Sequence, residues 1–175
     1  MKKTILFALG IALAAGVSAQ TFTEWHDPQV NAVNRAPMRA SHFAYAPGDD
    51  LKAGKEQSAN FMTLNGPWKF NWVENADQRP TDFFRTDFND RGWATMPVPG
   101  LWELNGYGDP QYVNVGYPWR NSFENNPPEV PVKGNHVGSY RRTVKVPADW
   151  KGKKIMAHFG SVTSNMYLCC LLYTS

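Results

Sequence analysis

The sequence predicts an all-β protein built as an antiparallel β-sandwich, and three observations carry that expectation. In LNGPWKFNWVE, Trp68, Phe70 and Trp72 take every second position with Lys69 and Asn71 between them. That is the period-two alternation of a half-buried strand. Two later stretches alternate in the same way: Tyr140, Arg142, Val144 and Val146 share one side of GSYRRTVKVP, and Ile155, Ala157 and Phe159 share one side of KKIMAHFGSV. Long Pro- and Gly-rich loops separate the strands, and no stretch reads as a convincing amphipathic helix.

The elements follow in chain order. Residues 1–19 open with Lys2 and Lys3, continue through the uncharged stretch Ile5 to Val17, and close on Val17-Ser18-Ala19. This is the pattern of a secretory signal peptide cleaved after Ala19. A membrane-spanning helix needs about 20 apolar residues, whereas this run has 13. No Cys follows the cleavage site, which argues against a lipid anchor there. The expected destination is therefore export, to the periplasm or the extracellular space, with no membrane span after cleavage.

Residues 20–60 lack periodicity and carry Pro28, Pro37 and Pro47, so they read as an extended arm across a body. The sandwich is expected over residues 61–168. Asn65-Gly66 is a turn signal ahead of the aromatic strand. ADQRPTDFFRTDFNDRGW reads as turns around a short helical or extended piece. In MPVPGLWEL, Pro97 and Pro99 flank Val98 and confine the segment to an edge or the start of a strand. Pro147-Ala148-Asp149-Trp150 turns, and Lys151 to Lys154 is a solvated charged run. After KKIMAHFGSVTSNMYL the chain ends in CCLLYTS. A strand left without a neighbour exposes an open edge, so residues 169–175 are expected to be a non-native tail and the sandwich to be truncated at its C-terminal end. Adjacent Cys169 and Cys170 can bridge only through strained geometry and fit no metal-ligand spacing.

Several kinds of chemistry are excluded by composition and spacing. Removing residues 1–19 takes away two Lys, leaving 16 basic and 15 acidic residues in 156. Such a scattered, near-neutral balance speaks against nucleic acid, which draws on a basic stripe. No Gly-rich phosphate cradle lies between a strand and a helix, and no Ser sits in a G-x-S-x-G elbow. The four His (26, 42, 136, 158) lack ligand spacing and read as surface or packing residues. Carboxylate pairs such as Asp87 with Asp90 lie in polar turns, where caps and solvated roles are the ordinary use.

What stands out is aromatic density: seven Trp (25, 68, 72, 93, 102, 119, 150), with Trp102, Tyr107, Tyr112, Tyr117 and Trp119 in or beside one loop. That loop, GDPQYVNVGYPW, holds no nucleophile, no His and no basic residue, yet sets Asn114 between two valines. Sugars present apolar C–H faces and hydroxyl edges, so flat rings beside an amide suit carbohydrate contact. Packing is the alternative use of the same rings.

DPQVNAVNRAPMRA, LNGPWKF, DFNDRGWATMPVPGLWELNGYGDPQYVNVGYPW, NPPEVPVKGNHVGSYRRTVKVP and HFGSVTSNMYL occur in that order over about Asp27 to Leu168. Together they resemble the N-terminal region of β-galactosidases of glycoside hydrolase family 2. The resemblance implies a jelly-roll β-sandwich of galactose-binding-like type, preceding immunoglobulin-like domains and a catalytic (β/α)8 barrel. Where the family continues with W-x-N-G after its Tyr-Leu, this chain has Cys169-Cys170 after Tyr167-Leu168.

Further expectations follow from the resemblance. The loop matching YVNVGYP reaches the barrel's active site, and Asn114 is the substrate-binding residue, its amide able to donate and accept at a pair of sugar hydroxyls. The two catalytic Glu residues lie on the barrel, so this chain supplies no catalytic residue and no metal ligand. Mg2+, with Na+ as a second candidate, belongs to the full-length enzyme, for which a homo-oligomer is compatible. The substrate class implied is terminal β-D-galactosides. A β-glucuronidase or β-mannosidase of the same family and a non-catalytic carbohydrate-binding module are the competing readings.

Overall fold

A computed structural model describes residues 24–38, 40–110, 119 and 129–169 of the 175-residue chain. Among these the regular elements are three strands and five single-turn 3-10 helices, with no α-helix. The strands are β1 (Gly66–Val73), β2 (Ala94–Val98) and β3 (Val137–Arg141). They form one antiparallel sheet in the order β2-β1-β3. The all-β expectation holds, and the aromatic strand read from its alternation is the central one. β2 pairs with β1 from Gly66↔Val98 to Phe70↔Ala94, and β3 pairs from Lys69↔Arg141 to Val73↔Val137. Pro97 cannot donate to a ladder and sits on the edge strand β2, the position its ring permits.

Because side chains alternate across a strand, the register sorts residues onto two faces. Trp68, Phe70 and Trp72 of β1 share one face with Met96 of β2 and Tyr140 of β3. Phe70 is 1% exposed and Met96 0%, so this face is the core. Phe70 lies 4.7 Å from the ring of Tyr140, 4.8 Å from Tyr107 and 6.4 Å from Trp102, within the range of favourable ring contacts. At the other end of the face, Trp68 donates its indole N–H to the Leu64 carbonyl at 2.8 Å. The Arg142 guanidinium lies 5.8 Å from the Trp68 ring centroid and donates to the same carbonyl.

On the opposite face, Arg141 gathers the turns between β1 and β2. It donates to the Asp90 carboxylate at 2.5 Å, to the Phe88 carbonyl at 3.3 Å and to the Arg85 carbonyl at 2.9 Å. A planar fork of donors suits three acceptors set on one turn. Trp93 packs beside Phe83 and Phe88 at 6.0 and 5.6 Å. The segment after β1 opens with a capping box in which Asn75 and Gln78 satisfy each other's backbone.

Trp150, on its own 3-10 turn, donates to the Ala59 carbonyl at 2.8 Å and ties residues 44–60 to the body. There Ser58 donates its hydroxyl to Asp49, Ala46 N–H donates to the same carboxylate at 2.7 Å, and the Asn60 amide donates to the Ala44 carbonyl at 3.0 Å.

Two alternating stretches differ from expectation. The strand in GSYRRTVKVP ends at Arg141, and Val144 and Val146 lie exposed beyond it. Residues 155–162 form no strand, with Ile155 47% and Met156 58% exposed. Alternation prepares a stretch to lie between a core and water, but its backbone needs a neighbouring ladder. Among the described residues no strand stands beside β3's free edge.

Candidate functional site

The loop singled out by the sequence begins on the core face of the sheet. Leaving β2, the chain makes a 3-10 turn over Glu103–Asn105, closed by Gly106 in the left-handed conformation (φ 84°). Tyr107 N–H donates back to the Trp102 carbonyl at 3.1 Å, and the Asn105 amide donates to the Leu101 carbonyl at 2.7 Å. This turn lays Trp102 and Tyr107 over Phe70. The Trp102 indole then donates to the Tyr140 hydroxyl at 2.6 Å. Burial pushes the Tyr140 phenol above its ordinary range, with the Trp102 hydrogen bond acting the other way.

A missing side chain makes room for these rings. Gly138 of β3 pairs with Trp72, and a Cβ built on it would stand 2.8 Å from both Phe70 Cε2 and Trp102 Cζ2. The two rings therefore lie across bare backbone, where any other residue would hold them off.

Further out, Trp72 faces Tyr107 at 6.4 Å and the His136 ring at 4.9 Å. Gly108 takes φ +70°, a conformation that L side chains rarely adopt. It rests beside both rings: its Cβ position lies 3.4 Å from His136 Nδ1 and 3.5 Å from Trp72 Cζ2. Gly108 and His136, 28 residues apart in sequence, are thus neighbours on the Trp72 ring. Trp119 donates to the Gly134 carbonyl at 3.2 Å, and Gly134 N–H donates to Asn75 Oδ1 at 2.9 Å. Asn135 donates to the Pro131 carbonyl at 3.0 Å.

Asn114 itself, with Tyr112 and Tyr117, lies outside the described residues, as do the segment read as a signal peptide and Cys170. Trp102 and Tyr107 go to packing rather than to an open surface. Trp72, Gly108 and His136 join them at the root of the loop. His136 reads from sequence as a surface or packing residue, and its ring packs against Trp72; its position against Gly108 has no local signal.

Three of the described carboxylates are engaged by neighbouring side chains. Asp87 is held below the usual carboxylate range by the hydrogen bond and charge of Arg85, and Asp49 by the Ser58 hydroxyl. Groups so stabilised as anions are poor general acids near neutral pH. Asp90 is engaged by Arg141. Among the described residues no three His, Cys, Asp or Glu side chains converge to hold a metal ion. Nor is any helix among them long and apolar enough to cross a membrane.

What the arrangement can do is hold a loop in place. Residues 61–171 match the family described as "Glycosyl hydrolases family 2, sugar binding domain". The β-galactosidase of Priestia megaterium (strain DSM 319 / IMG 1521) is 37% identical over 152 residues, covering 86% of this chain and 15% of that protein. The β-galactosidase of Halalkalibacterium halodurans is 36% identical over 142 residues, 81% of this chain and 14% of that protein. The β-galactosidase large subunit of Leuconostoc lactis is 33% identical over 162 residues, 85% of this chain and 25% of that protein. This chain therefore spans a quarter or less of the relatives it matches here. By its sugar binding domain, it belongs to glycosyl hydrolases family 2.

Proposed function

We propose that this chain is the sugar-binding part of an exported β-galactosidase, and that it contributes a substrate-contacting loop to a catalytic (β/α)8 barrel in the same polypeptide. The observation that carries this reading is the family match over residues 61–171, joined to identities of 33–37% with proteins named β-galactosidase. Those names favour galactosides over glucuronides or mannosides. The pair of catalytic carboxylates that a retaining glycosidase requires would come from the barrel, as would the ligands of Mg2+ or Na+. Residues 1–19 direct the protein to the periplasm or beyond.

In this reading Asn114 hydrogen-bonds the galactosyl hydroxyls. An amide presents two donors and an acceptor, so it can meet hydroxyls that both give and take. Replacing it in the full-length enzyme leaves those hydroxyls unpartnered, at a cost of about 1–3 kcal/mol. Asn114→Ala should therefore lower kcat/KM for a chromogenic β-galactoside roughly 5- to 150-fold, with the thermal midpoint little changed. A variant that loses stability but keeps its kinetics would show that Asn114 serves the loop and not the sugar.

A further inference from the structure

The root of the loop has a construction that its sequence does not display. Gly108 and His136 meet beside the ring of Trp72, so the two ends of the segment 109–135 are held together at one point. This neck stands on the rigid part of the molecule. Trp72 belongs to the central strand, and His136 lies two residues before Gly138, its cross-strand partner. This offset places His136 on the same face of the sheet. Gly108 reaches the pair because its left-handed turn brings the backbone against both rings.

Trp72 also carries an unusual feature: its indole N–H is buried and has no hydrogen-bond partner among the described residues. Buried polar groups are normally satisfied, and the indoles of Trp68, Trp102, Trp119 and Trp150 donate to a carbonyl or hydroxyl. A Phe at this position would avoid the unmet donor but offer a smaller plate. Retaining an indole here is explained if its broad face is what the neck requires.

We infer that Trp72, Gly108 and His136 form a positioning device that fixes the reach of the loop carrying Asn114. Asn114 is six residues beyond Gly108, at most about 20 Å of extended chain. Any rocking at the neck is carried to the amide. The inference rests on the galactoside reading of Asn114, and names the residues through which that contact is held in register.

The test compares His136→Ala, His136→Phe and Asn114→Ala, singly and combined, in the full-length enzyme. His136→Ala removes the ring beside Gly108, while His136→Phe restores a flat ring without titratable nitrogens. Misplacement of a contacting group by about 1 Å can cost on the order of 100-fold, so a loosened neck should lower kcat/KM about 10-fold. The thermal midpoint should be nearly unchanged, and His136→Phe should recover most of the activity. In an Asn114→Ala background, His136→Ala should add no further loss, because the contact it positions is already gone. A second readout does not depend on the sugar: His136→Ala should speed tryptic cleavage after Arg120, and His136→Phe should not. An equal loss in both backgrounds, failure of Phe to rescue, or unchanged proteolysis would overturn the neck. If Asn114→Ala is itself harmless, the galactoside reading falls, and proteolysis alone judges the neck.

Discussion

Gly138 offers the sharpest test of the packing, because one added methyl group is predicted to change stability in the opposite sense to a matched control. Replacing Gly by Ala at a compatible position ordinarily stabilises by roughly 0.4–1 kcal/mol, by restricting the unfolded chain. At Gly138 the backbone is extended and imposes no positive φ, so that gain should apply. Against it stands crowding: the new Cβ would lie 2.8 Å from Phe70 Cε2, 2.8 Å from Trp102 Cζ2 and 3.0 Å from Trp102 Cε2. Carbon atoms prefer about 3.5–4.0 Å, so both rings must retreat by roughly 1 Å. Phe70 is 1% exposed and already in contact with Tyr107 and Tyr140, while Trp102 is tethered to the Tyr140 hydroxyl at 2.6 Å. Overpacking of this kind costs about 1–3 kcal/mol, leaving Gly138→Ala less stable by about 1–2 kcal/mol. Gly92 is the control, since its Cβ position has nothing within 4 Å and its φ is unexceptional. Urea unfolding of the purified chain, followed by tryptophan fluorescence, reads both variants. With a slope of about 2 kcal/mol/M, the midpoint of Gly138→Ala should fall by about 0.5–1 M and that of Gly92→Ala should hold or rise. A rise in both would refute the claim that two rings close over bare backbone at Gly138.

Two further outcomes come from charged groups that hold turns. Arg141→Lys keeps the charge but loses the fork that reaches Asp90, Phe88 and Arg85 together; with the pair only 22% and 28% exposed, stability should drop by about 1–3 kcal/mol, and an unchanged urea midpoint would count against the clamp. Asp49 is held below its ordinary value of 3.8, first by the Ser58 hydroxyl and then by backbone N–H groups at Ala46 and Ala59. Its contribution is therefore complete above that ordinary value and lost as pH falls through the lower folded value. Urea midpoints at about pH 6 and about pH 3 should converge more closely in Asp49→Asn than in the parent chain, and equal pH slopes would show that Asp49 is not a latch.

What could be read from sequence, and what could not, divides along the range of the interaction. Trp68, Phe70 and Trp72 announced β1 because a period of two is written in neighbouring residues. Pro97 announced an edge because its missing N–H is a property of one residue. Ile155, Ala157 and Phe159 carry the same alternation, but a strand also requires a partner, and partnership is a long-range fact. The rings of the loop were undecided between sugar contact and packing for a similar reason. Trp102 can lie on Phe70 only because Gly138 lacks a side chain, and nothing near Trp102 in sequence reports that. The meeting of Gly108 with His136 is equally invisible, since it is created when β3 pairs with β1.

That distribution bears on how this chain could carry out the proposed role of holding a substrate-contacting loop. Among the described carboxylates, Asp49 is held as an anion by a hydroxyl and Asp87 by a guanidinium, while Asp90 is engaged by Arg141. On the core face, Phe70, Tyr140, Trp102 and Tyr107 interlock and Trp72 extends the layer to the loop's root. A contact delivered from a separate domain gains from rigidity, because binding at a site is weakened by whatever freedom must be frozen out. Placing the loop's neck on the central strand supplies that rigidity without a covalent link. It follows that changes in the aromatic face should reach substrate binding before they unfold the domain, and that Trp72 and His136, not Phe70, should be where the two effects separate.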